Sequence, residues 1–354
     1  MGEFDLIRRF FTRPTPHAVL GVGDDCALLQ SAPGMQMAIS TDMLVSGRHF
    51  FADTDPQALG HKCLAVNLSD LAACGARPLA FTLALALPEA DEAWLAPFAQ
   101  GLLALADAHG CELIGGDTTR GPLSICITVF GEVPAQSRNP RHPLVPTSAL
   151  LRSGAQAGDD IYVSGTLGDA ALALQALWGQ VALPPEVLVQ ARQRLERPSP
   201  RVALGQALRG VASACADVSD GLIGDLGHIL ERSALGARVD TERVLPLLAA
   251  RSHFPGGSVQ FDQQLSHAPD AQHPAALALQ CVLAGGDDYE LVFCAAPAQR
   301  DAVQAAATQS GTPVTRIGTM QAAPGLHLVD GQGRTVAPQF ASFDHFSASR
   351  SRPA

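Results

Sequence analysis

Lysine is almost absent from this sequence. Lys62 is the single lysine, and the other basic residues are arginines. A P-loop needs a lysine directly after its glycine-rich turn, and a protein-kinase fold needs one on a strand. Lys62 stands in Gly60-His61-Lys62-Cys63, which fits neither pattern. Any phosphate chemistry must therefore use another kind of site.

Charge is also scarce, and what there is has a negative balance. Charged residues make up 16% of the chain, and the formal net charge is −10. An acidic protein has no electrostatic footprint for nucleic acid or for an anionic membrane. No apolar run approaches the roughly 18 residues that a membrane-spanning helix needs, and the first residues do not resemble a signal peptide. We therefore expect neither nucleic acid nor a membrane as partner.

The eight cysteines lack the spacing of a metal or disulfide framework. None are spaced as C-x₂-C, so a zinc knuckle is not expected. Most lie in apolar runs such as Ile125-Cys126-Ile127, which is typical of buried free thiols in a reducing compartment. We expect a cytoplasmic protein.

The chain is long enough for two ordinary domains. It has 354 residues, of which 47% are apolar, and this is ample for buried cores. Residues 134–149 are rich in Pro, Ser, Arg and Asn and are the best boundary candidate. Predicted strands and helices alternate on both sides of it, which indicates α/β domains at residues 1–149 and 150–354.

Hydrophobic periodicity gives the approximate elements. Strands are predicted at 35–40, 79–87, 111–115, 123–133, 160–164, 214–218, 288–295, 314–318 and 325–329. Helices are predicted at 3–12, 57–74, 91–109, 168–178, 186–195, 201–210, 221–232 and 298–309. Residues 251–275 are polar and are interpreted as a surface excursion.

Aspartates recur where predicted strands end or glycines permit a turn. The runs are Asp24-Asp25 after a Gly-Val-Gly, Asp42 after Ser40-Thr41, Asp117 after Gly115-Gly116, and Asp217 with Asp220 around Ser219. Ligand groups of α/β sheets collect at strand ends, and glycine lets the backbone approach a ligand closely. Asp70 differs, because it lies within a predicted helix.

Several carboxylates gathered without cations would repel one another and raise their pKa values. Carboxylate oxygens are hard ligands that suit Mg²⁺, and two or more such ions would turn the cluster into a site for polyphosphate. The pattern therefore predicts an aspartate cage for several Mg²⁺ ions, which hold ATP and a second, small phosphorylated substrate.

Structural explanations compete for each of these residues. An Asp or Ser beside a turn is often only a helix cap, and Ser219 or Asp220 can cap the helix predicted at 221–232. Such a cap also presents backbone N–H groups that suit a phosphate. Asp70 can be a satisfied buried polar group.

Two arginines, one glycine turn and one histidine are weaker candidates for contact with a phosphate ligand. Arg120 and Arg152 can contact phosphate or can be surface residues. The turn from Gly165 to Gly168 resembles a phosphate-binding turn, but a lone glycine signal is weak. Among the eleven histidines, His49 stands out because it follows the Ser40-Thr41-Asp42 stretch closely.

Six ordered runs carry a resemblance to the thiamine-monophosphate kinase family. They follow that family's order, and the resemblance extends from about residue 3 to 346. The runs are Gly21–Ala27, Ser40–Val45, Lys62–Ala73, Leu113–Gly121, Asp217–Leu222 and Gly285–Leu291.

The resemblance implies the two-domain α/β fold of the aminoimidazole-ribonucleotide-synthetase superfamily. There an N-terminal ATP- and Mg-binding domain pairs its sheet across a homodimer to form a barrel, and a C-terminal α/β domain packs beside it. It also implies ATP-dependent phosphorylation of thiamine monophosphate to thiamine diphosphate, the last step of thiamine diphosphate biosynthesis. Several Mg²⁺ ions are required, and the γ-phosphoryl group is transferred directly in line.

The family's site residues carry over motif by motif. Those implied for the metal sites are Asp25, Ser40, Thr41, Asp42, Asp70, Asp117, Asp217 and Asp220. Those implied for ATP are Gly116, Asp117, Arg152 and Ser219. Those implied for thiamine monophosphate are His49, Asp287 and Phe343.

The chain departs from the family's pattern at the substrate side. The family commonly has Glu where Asp287 stands, so the charge is kept on a side chain one methylene shorter. Phe343 matches an aromatic position that would stack on the thiamine rings, without the hydroxyl or indole of other members. Stacking alone suits a flat cationic heterocycle.

No catalytic residue is expected among the protein's own nucleophiles and bases. The attacking group is a phosphate oxygen, which is already ionised at neutral pH. Catalysis should therefore consist of positioning and charge neutralisation.

Three other functions are compatible with parts of the pattern. A sister enzyme of the superfamily would use ATP to activate an amide oxygen or selenide, but Lys62–Ala73 and Gly285–Leu291 fit the kinase better. A two-metal phosphohydrolase would release free phosphate. A nucleotide-sensing module would bind Mg-ATP and show no turnover.

Overall fold

The structure is a computed structural model, and it describes residues 2–136, 147–250 and 274–336. These residues form two compact units; the first ends at Ala149 and the second begins at Leu150. Within the described residues, no helix is both long and apolar enough to cross a membrane.

Three helices and four strands lie in the described residues of the N-terminal unit. Their bounds are α1 Glu3–Leu6, continued by a π-helical turn at Ile7–Phe11, β1 Met35–Val45, α2 Pro56–Ala73, β2 Arg77–Leu87, α3 Glu92–His109, β3 Glu112–Arg120 and β4 Ser124–Pro134.

Its strands form one open sheet in the order β1-β4-β2-β3. β1 pairs antiparallel with β4 along eleven residue pairs, from Met35 opposite Pro134 to Val45 opposite Ser124. β4 also pairs antiparallel with β2, and β2 pairs parallel with β3. The parallel pair is possible because α3 provides the crossover between its strands.

The two long helices of this unit contact each other through glycine. A Cβ at Gly60 of α2 would lie 2.1 Å from the Phe98 carbonyl oxygen of α3, and one at Gly101 of α3 would lie 1.9 Å from the Gln57 oxygen. Only glycine permits this approach of two backbones. The helix pair thereby forms a fixed support under the sheet, with Phe81 and Phe98 fully buried.

Two predicted strand ends in this unit are wrong. The strand predicted at 35–40 continues to Val45, so Asp42 lies inside β1 and not after it. The strand predicted at 111–115 continues through the glycines to Arg120, so Asp117 lies inside β3. In both cases full-length pairing with a neighbouring strand outweighs the low strand preference of Asp and Gly.

The C-terminal unit has six strands and seven helices within its described residues. The bounds are β5 Asp160–Ser164, α4 Asp169–Leu177, α5 Pro185–Glu196, α6 Val202–Ala207, β6 Ala214–Val218, α7 Leu222–Ser233, β7 Gly236–Asp240, α8 Thr241–Val244, α9 Pro274–Ala284, β8 Glu290–Ala295, α10 Arg300–Ser310, β9 Val314–Gln321 and β10 Gly325–Val329.

Its sheet has the order β10-β7-β9-β5-β8-β6, with one parallel pair, β10 with β7, and antiparallel pairs elsewhere. Every residue of β5, β6 and β8 is buried, which requires cover on both faces of the sheet. Leu226 of α7 and Val282 of α9 belong to the same apolar core as Val292 of β8. The ends of these central strands therefore have fixed positions.

Some elements of this unit differ from the predicted ones. The strand at Gly236–Asp240 and the helix at Pro274–Ala284 were not predicted, because their short or uniformly apolar patterns carry no clear period. The strand predicted at 314–318 extends to Gln321.

Candidate functional site

A polar cluster joins β1 to α2 in the N-terminal unit. Ser40 and Asp42 are two residues apart on a strand and therefore share one face. The Ser40 hydroxyl donates to the Asp70 carboxylate of α2. Asn67, one helical turn earlier, accepts the Asp42 backbone N–H on its Oδ1 at 3.1 Å. The structure therefore brings together Ser40, Asp42 and Asp70.

Thr41 points away from this cluster. The side chains of a strand alternate between its two faces, so Thr41 lies opposite Ser40 and Asp42. Its exposed hydroxyl shares a hydrogen bond with that of Thr128 on β4, with the two oxygens 2.9 Å apart. The structure does not place the Thr41 side chain beside the other predicted metal residues of β1.

A cavity of about 630 Å³ gathers a second set of predicted residues in the same unit. It is lined by Asp24 and Asp25 of the glycine loop and by Gly116 and Asp117 of β3. Three of its four acidic side chains therefore come from the two predicted aspartate runs; the fourth is Glu3 of α1. Apolar cover comes from α1 and the π-helical turn.

Gly116 has a conformation and a position that require glycine. Its φ is +148°, and a Cβ there would lie 1.8 Å from the Leu83 carbonyl oxygen of β2. L-residues rarely adopt such a φ, and no side chain fits so close to a backbone oxygen. Gly116, which is predicted to contact ATP, is therefore also the residue that allows β3 to pair with β2 at the cavity wall.

His49 follows β1 in a tight turn. The ring Nδ1 accepts a hydrogen bond from the backbone N–H of Val45 at 3.0 Å. The backbone N–H of His49 donates to the Val45 carbonyl at the same distance. A ring nitrogen that accepts from an N–H carries no proton, so a neutral His49 holds its proton on Nε2. The half-buried ring is therefore fixed in orientation by the end of β1.

In the C-terminal unit, β6 leads directly into a second set of predicted residues. Asp217 lies in the strand, is buried, and pairs with Leu291 of β8. Ser219 and Asp220 follow the last strand residue and are half-buried. Here the prediction of acidic residues at a strand end agrees with the structure.

The backbone amides of this turn are held by one carboxylate, which the sequence analysis did not single out. Asp225 Oδ2 accepts the N–H groups of Ser219, Asp220 and Gly221 at 3.0, 3.1 and 3.1 Å. Burial, and next the nearby Asp220, raise the pKa of Asp225 to about 7, although the three N–H donors lower it. The expectation that Ser219 or Asp220 caps α7 is wrong, because Gly221 is the N-cap residue. The backbone N–H of Gly221 binds the Asp225 side chain.

The loop of the Gly285–Leu291 run lies against the same turn. The Asp287 N–H donates to the Ser219 carbonyl at 2.8 Å, and the Tyr289 N–H donates to the Val218 carbonyl at 2.9 Å. Asp287 and Tyr289 have φ values of +61° and +52°, which are uncommon for residues with side chains. The Tyr289 hydroxyl donates to Asp287 Oδ1 at 3.2 Å. Asp287 is thus held in place beside Ser219.

The glycine turn before α4 is also occupied by a carboxylate. Asp288 is 2% exposed, and both of its oxygens accept the Gly168 N–H, at 2.9 and 3.0 Å. Burial raises the pKa of Asp288 well above its ordinary value, and Asp169 and Glu290 add to that rise. The weak resemblance of Gly165–Gly168 to a phosphate-binding turn is therefore wrong at Gly168, because its amide has an internal partner.

Glu290 anchors the end of that loop. Its fully buried carboxylate accepts hydrogen bonds from Arg201 Nε at 2.6 Å, from Arg194 Nη2 at 2.7 Å and from the Ser164 hydroxyl at 2.7 Å. A buried carboxylate needs this degree of pairing, since an unpaired one is strongly destabilising. The network fixes where β8 begins, directly after Tyr289.

The remaining candidates are placed as follows. Arg152 is exposed near the start of the C-terminal unit, and its carbonyl accepts the Ser233 hydroxyl at 3.4 Å. Arg120, exposed at the end of β3, donates to the Pro88 carbonyl at 3.1 Å. Phe343 lies outside the described residues.

A single protein-only metal cage is not assembled in either unit. In the part of the chain that the structure describes, no three His, Cys, Asp or Glu side chains are arranged to hold a metal ion. What the structure brings together are three smaller sets: Ser40 with Asp42 and Asp70; Asp25 with Gly116 and Asp117; and Ser219 and Asp220 with Asp287. The shared cage stays a prediction.

Asp225 and Asp288 are the residues that sequence reasoning missed. Each had a weak signal. Asp225 is the one acid of the Leu222–Leu230 stretch, four residues after Gly221, and Asp288 directly follows the singled-out Asp287.

Comparison with known proteins identifies the family. The family model described as "AIR synthase related protein, N-terminal domain" matches residues 23–133, and the corresponding C-terminal model matches residues 156–331. A protein of Salmonella typhimurium named thiamine-monophosphate kinase is 45% identical over 351 residues, which cover 98% of each chain. This chain belongs to the thiamine-monophosphate kinase family.

Solved structures of the thiamine-monophosphate kinase family agree with the fold. The crystal structure of the enzyme from Stenotrophomonas maltophilia is 43% identical, has a TM-score of 0.73, and covers 94% of this chain and 96% of its own. A structure described as AaThiL complexed with AMPPCP and TMP is 25% identical, with a TM-score of 0.68 and 90% and 89% coverage. The predicted family, the kinase class and the two-domain mixed α/β fold are confirmed. Both sheets of the single chain are open, and the barrel expected across a homodimer stays a prediction.

Proposed function

We propose that this protein phosphorylates thiamine monophosphate to thiamine diphosphate, with ATP as the phosphoryl donor. The observation that carries the proposal is the full-length match to proteins named thiamine-monophosphate kinase, at 45% identity over 98% of the chain. The relative complexed with AMPPCP and TMP supports the same pair of ligands, an ATP analogue and the acceptor.

The donor chemistry of the N-terminal unit fits Mg²⁺. Its predicted metal residues offer carboxylate and hydroxyl oxygens, which are hard ligands. Gly116 and Asp117 both line the cavity, where the carboxylate and the backbone lie side by side. Mg²⁺ commonly keeps several waters and binds one or two carboxylates plus substrate phosphates. The absence of a three-ligand protein cluster in the described residues is therefore compatible with this metal.

The residues that would hold Mg²⁺ are Asp25, Ser40, Asp42, Asp70 and Asp117 in the N-terminal unit, and Asp217 and Asp220 in the C-terminal unit. The Thr41 side chain lies on the opposite face of β1, beside Thr128, and is left out of this set. When bound, the ions would neutralise the charge of the phosphates as they approach. Gly116, Asp117, Arg152 and Ser219 would contact ATP. His49, Asp287 and Phe343 would contact thiamine monophosphate.

The chain's own residues then act by positioning. The attacking phosphate oxygen is ionised at neutral pH, so the direct in-line transfer needs no general base. Tyr289 and the Ser219 carbonyl hold Asp287 in one place, which suits recognition of the cationic thiamine part. Because Asp287 is already fixed before the substrate binds, less conformational entropy is lost when the reactants are positioned for transfer.

We also propose that the N-terminal sheet is completed by a second copy of the chain in a homodimer. Ile39 and Met43 lie on the same face of β1 as Thr41 and are 61% and 57% exposed. Apolar side chains side by side on an open sheet are typical of a face that another surface covers.

A reducing cytoplasm would suit the eight free cysteines, five of which are buried.

One assay tests the proposed function. Purified protein is incubated with ATP, Mg²⁺ and thiamine monophosphate, and the products are identified by mass. We expect ADP and thiamine diphosphate in equal amounts, and none when EDTA is added. Free phosphate with unchanged thiamine monophosphate would support a phosphohydrolase, and Mg-ATP binding without turnover would support a sensor; either result would contradict the proposal.

Replacing Asp287 tests the substrate side. Asp287→Ala is expected to raise the KM for thiamine monophosphate about tenfold, the loss expected for one charge-assisted contact, while the KM for ATP changes little. Steady-state kinetics measures both constants. Glu231→Ala, which removes an exposed acid of α7, is the matched control and should leave both unchanged. An unchanged KM for thiamine monophosphate in Asp287→Ala would remove this residue from the site.

A further inference from the structure

The Asp225 carboxylate is built into the turn that carries Ser219 and Asp220. The side chain starts from the first turn of α7 and reaches back toward the helix N-terminus. A single oxygen accepts three successive backbone N–H groups, at 3.0 to 3.1 Å. The residue is 2% exposed, so these bonds are shielded from water.

This contact changes which groups can meet a phosphate. The free N–H groups at a helix N-terminus ordinarily form an anion site. Here the N–H groups of Ser219, Asp220 and Gly221 already have a carboxylate partner from the same helix. A phosphate could use them only by displacing a buried acid. Recognition at this turn is therefore left to side chains.

The carbonyl side of the turn is held as well. The Asp287 N–H binds the Ser219 carbonyl and the Tyr289 N–H binds the Val218 carbonyl, at 2.8 and 2.9 Å. A Cβ at Gly286 would lie 2.6 Å from the Ser219 oxygen, so the two segments are in close contact. The turn is thus fixed on one side by Asp225 and on the other by the 286–289 loop.

We infer that Asp225 is a positioning residue for phosphoryl transfer: it fixes the backbone of the 219–221 turn so that the Ser219 and Asp220 side chains, and not the turn's amides, serve the nucleotide and its metal. The inference rests on the proposed function. It assigns to Asp225 no contact with substrate.

A purely structural role is the alternative, and the chain contains a matched control for it. Asp159 is also a buried carboxylate, 4% exposed, and accepts the Gln156 N–H at 2.9 Å and the Ser213 hydroxyl at 2.6 Å. Ser213 directly precedes β6, whereas the 219–221 turn follows it. Asp159 therefore supports the opposite end of the same strand.

The experiment compares Asp225→Asn and Asp159→Asn with the unchanged full-length protein. Each asparagine keeps the size of the side chain but replaces charge-assisted hydrogen bonds with neutral ones, which are about half as strong. Three quantities are measured: the melting temperature, the Mg-ATP dissociation constant by calorimetry, and the exchange rate of the 219–221 amides. Steady-state kinetics gives the KM values for ATP and thiamine monophosphate.

For Asp225→Asn we expect about tenfold weaker Mg-ATP binding, a similar rise in the KM for ATP, and at least tenfold faster exchange at residues 219–221. The KM for thiamine monophosphate should stay within about twofold. For Asp159→Asn we expect a comparable loss of melting temperature with ligand constants unchanged. If Asp225→Asn does not fold, Asp225→Glu replaces it: the longer side chain keeps the charge but misplaces the oxygen, so the same loss of Mg-ATP binding is expected.

Two outcomes would overturn the inference. The first is that Asp225→Asn behaves like Asp159→Asn, losing melting temperature alone, while the unchanged protein binds Mg-ATP and makes thiamine diphosphate. The second is unchanged amide exchange at 219–221. If the unchanged protein itself fails to bind Mg-ATP, the proposed function fails and the inference falls with it, so the two failures are distinguishable.

Discussion

Asp42→Asn is expected to lower kcat by about 10²–10³-fold, the range found when one pre-organised electrostatic group of a transition state is removed. Asp42 lies inside β1 on the same face as Ser40, whose hydroxyl binds Asp70. The amide keeps the shape of the side chain and removes the charge that would hold Mg²⁺. The Mg²⁺ concentration for half-maximal rate should rise together with the loss of kcat.

The fold of this variant should stay intact. Its backbone N–H still binds Asn67, and asparagine keeps the size of the half-buried side chain. The melting temperature in EDTA is therefore expected to be unchanged. Asp53→Asn removes an exposed acid of the same unit and serves as the control for net charge. Turnover and Mg²⁺ dependence equal to the control's would refute the metal role of Asp42.

Gly116→Ala is expected to destabilise the N-terminal unit by roughly 3 kcal/mol or more, because overpacking and a disfavoured φ each cost about 1–3 kcal/mol. The added Cβ would lie 1.8 Å from the Leu83 carbonyl oxygen, at a φ of +148°. Since the backbone of β3 must move away from β2, Mg-ATP binding should be lost as well. Thermal unfolding and calorimetry measure the two effects.

The neighbouring glycine provides the control for this variant. A Cβ at Gly115 would meet its nearest neighbours, on Thr82 and Ala27, at 3.9 and 4.0 Å, which is ordinary contact. The free energy of unfolding of Gly115→Ala should therefore lie within about 1 kcal/mol of that of the unchanged protein. Equal stability of the two alanine variants would show that the close approach at Gly116 does not constrain the sheet.

The core of the fold could be predicted where the hydrophobic period is strong. The helices at Pro56–Ala73 and Glu92–His109 and the buried strand at Asp160–Ser164 lie within two residues of their predicted bounds. The ends of β1 and β3 could not be predicted, because Asp42 and Gly115-Gly116 carry turn signals locally. Pairing with a partner strand decides those residues, and the partner is not visible in a local pattern.

The candidate site was predictable in its residues but not in its supports. Asp25 and Asp117 come from distant parts of the chain and line one cavity, and Ser40 binds Asp70. The sequence could not show that Thr41 would lie on the opposite face, since this depends on β1 continuing as a strand. Nor could it show that Asp225 and Asp288 occupy the amides of two glycine turns. Those contacts depend on backbone placement, which a motif does not specify.

The most direct test of the central claim follows the phosphoryl group itself. The protein is given ATP labelled with ¹⁸O in the three non-bridging oxygens of the γ-phosphate, together with Mg²⁺ and thiamine monophosphate, and the products are analysed by mass. Transfer of the γ-phosphoryl group to thiamine monophosphate predicts thiamine diphosphate whose terminal phosphate carries all three labelled oxygens. Label recovered in free phosphate, with thiamine monophosphate unchanged, would contradict the account.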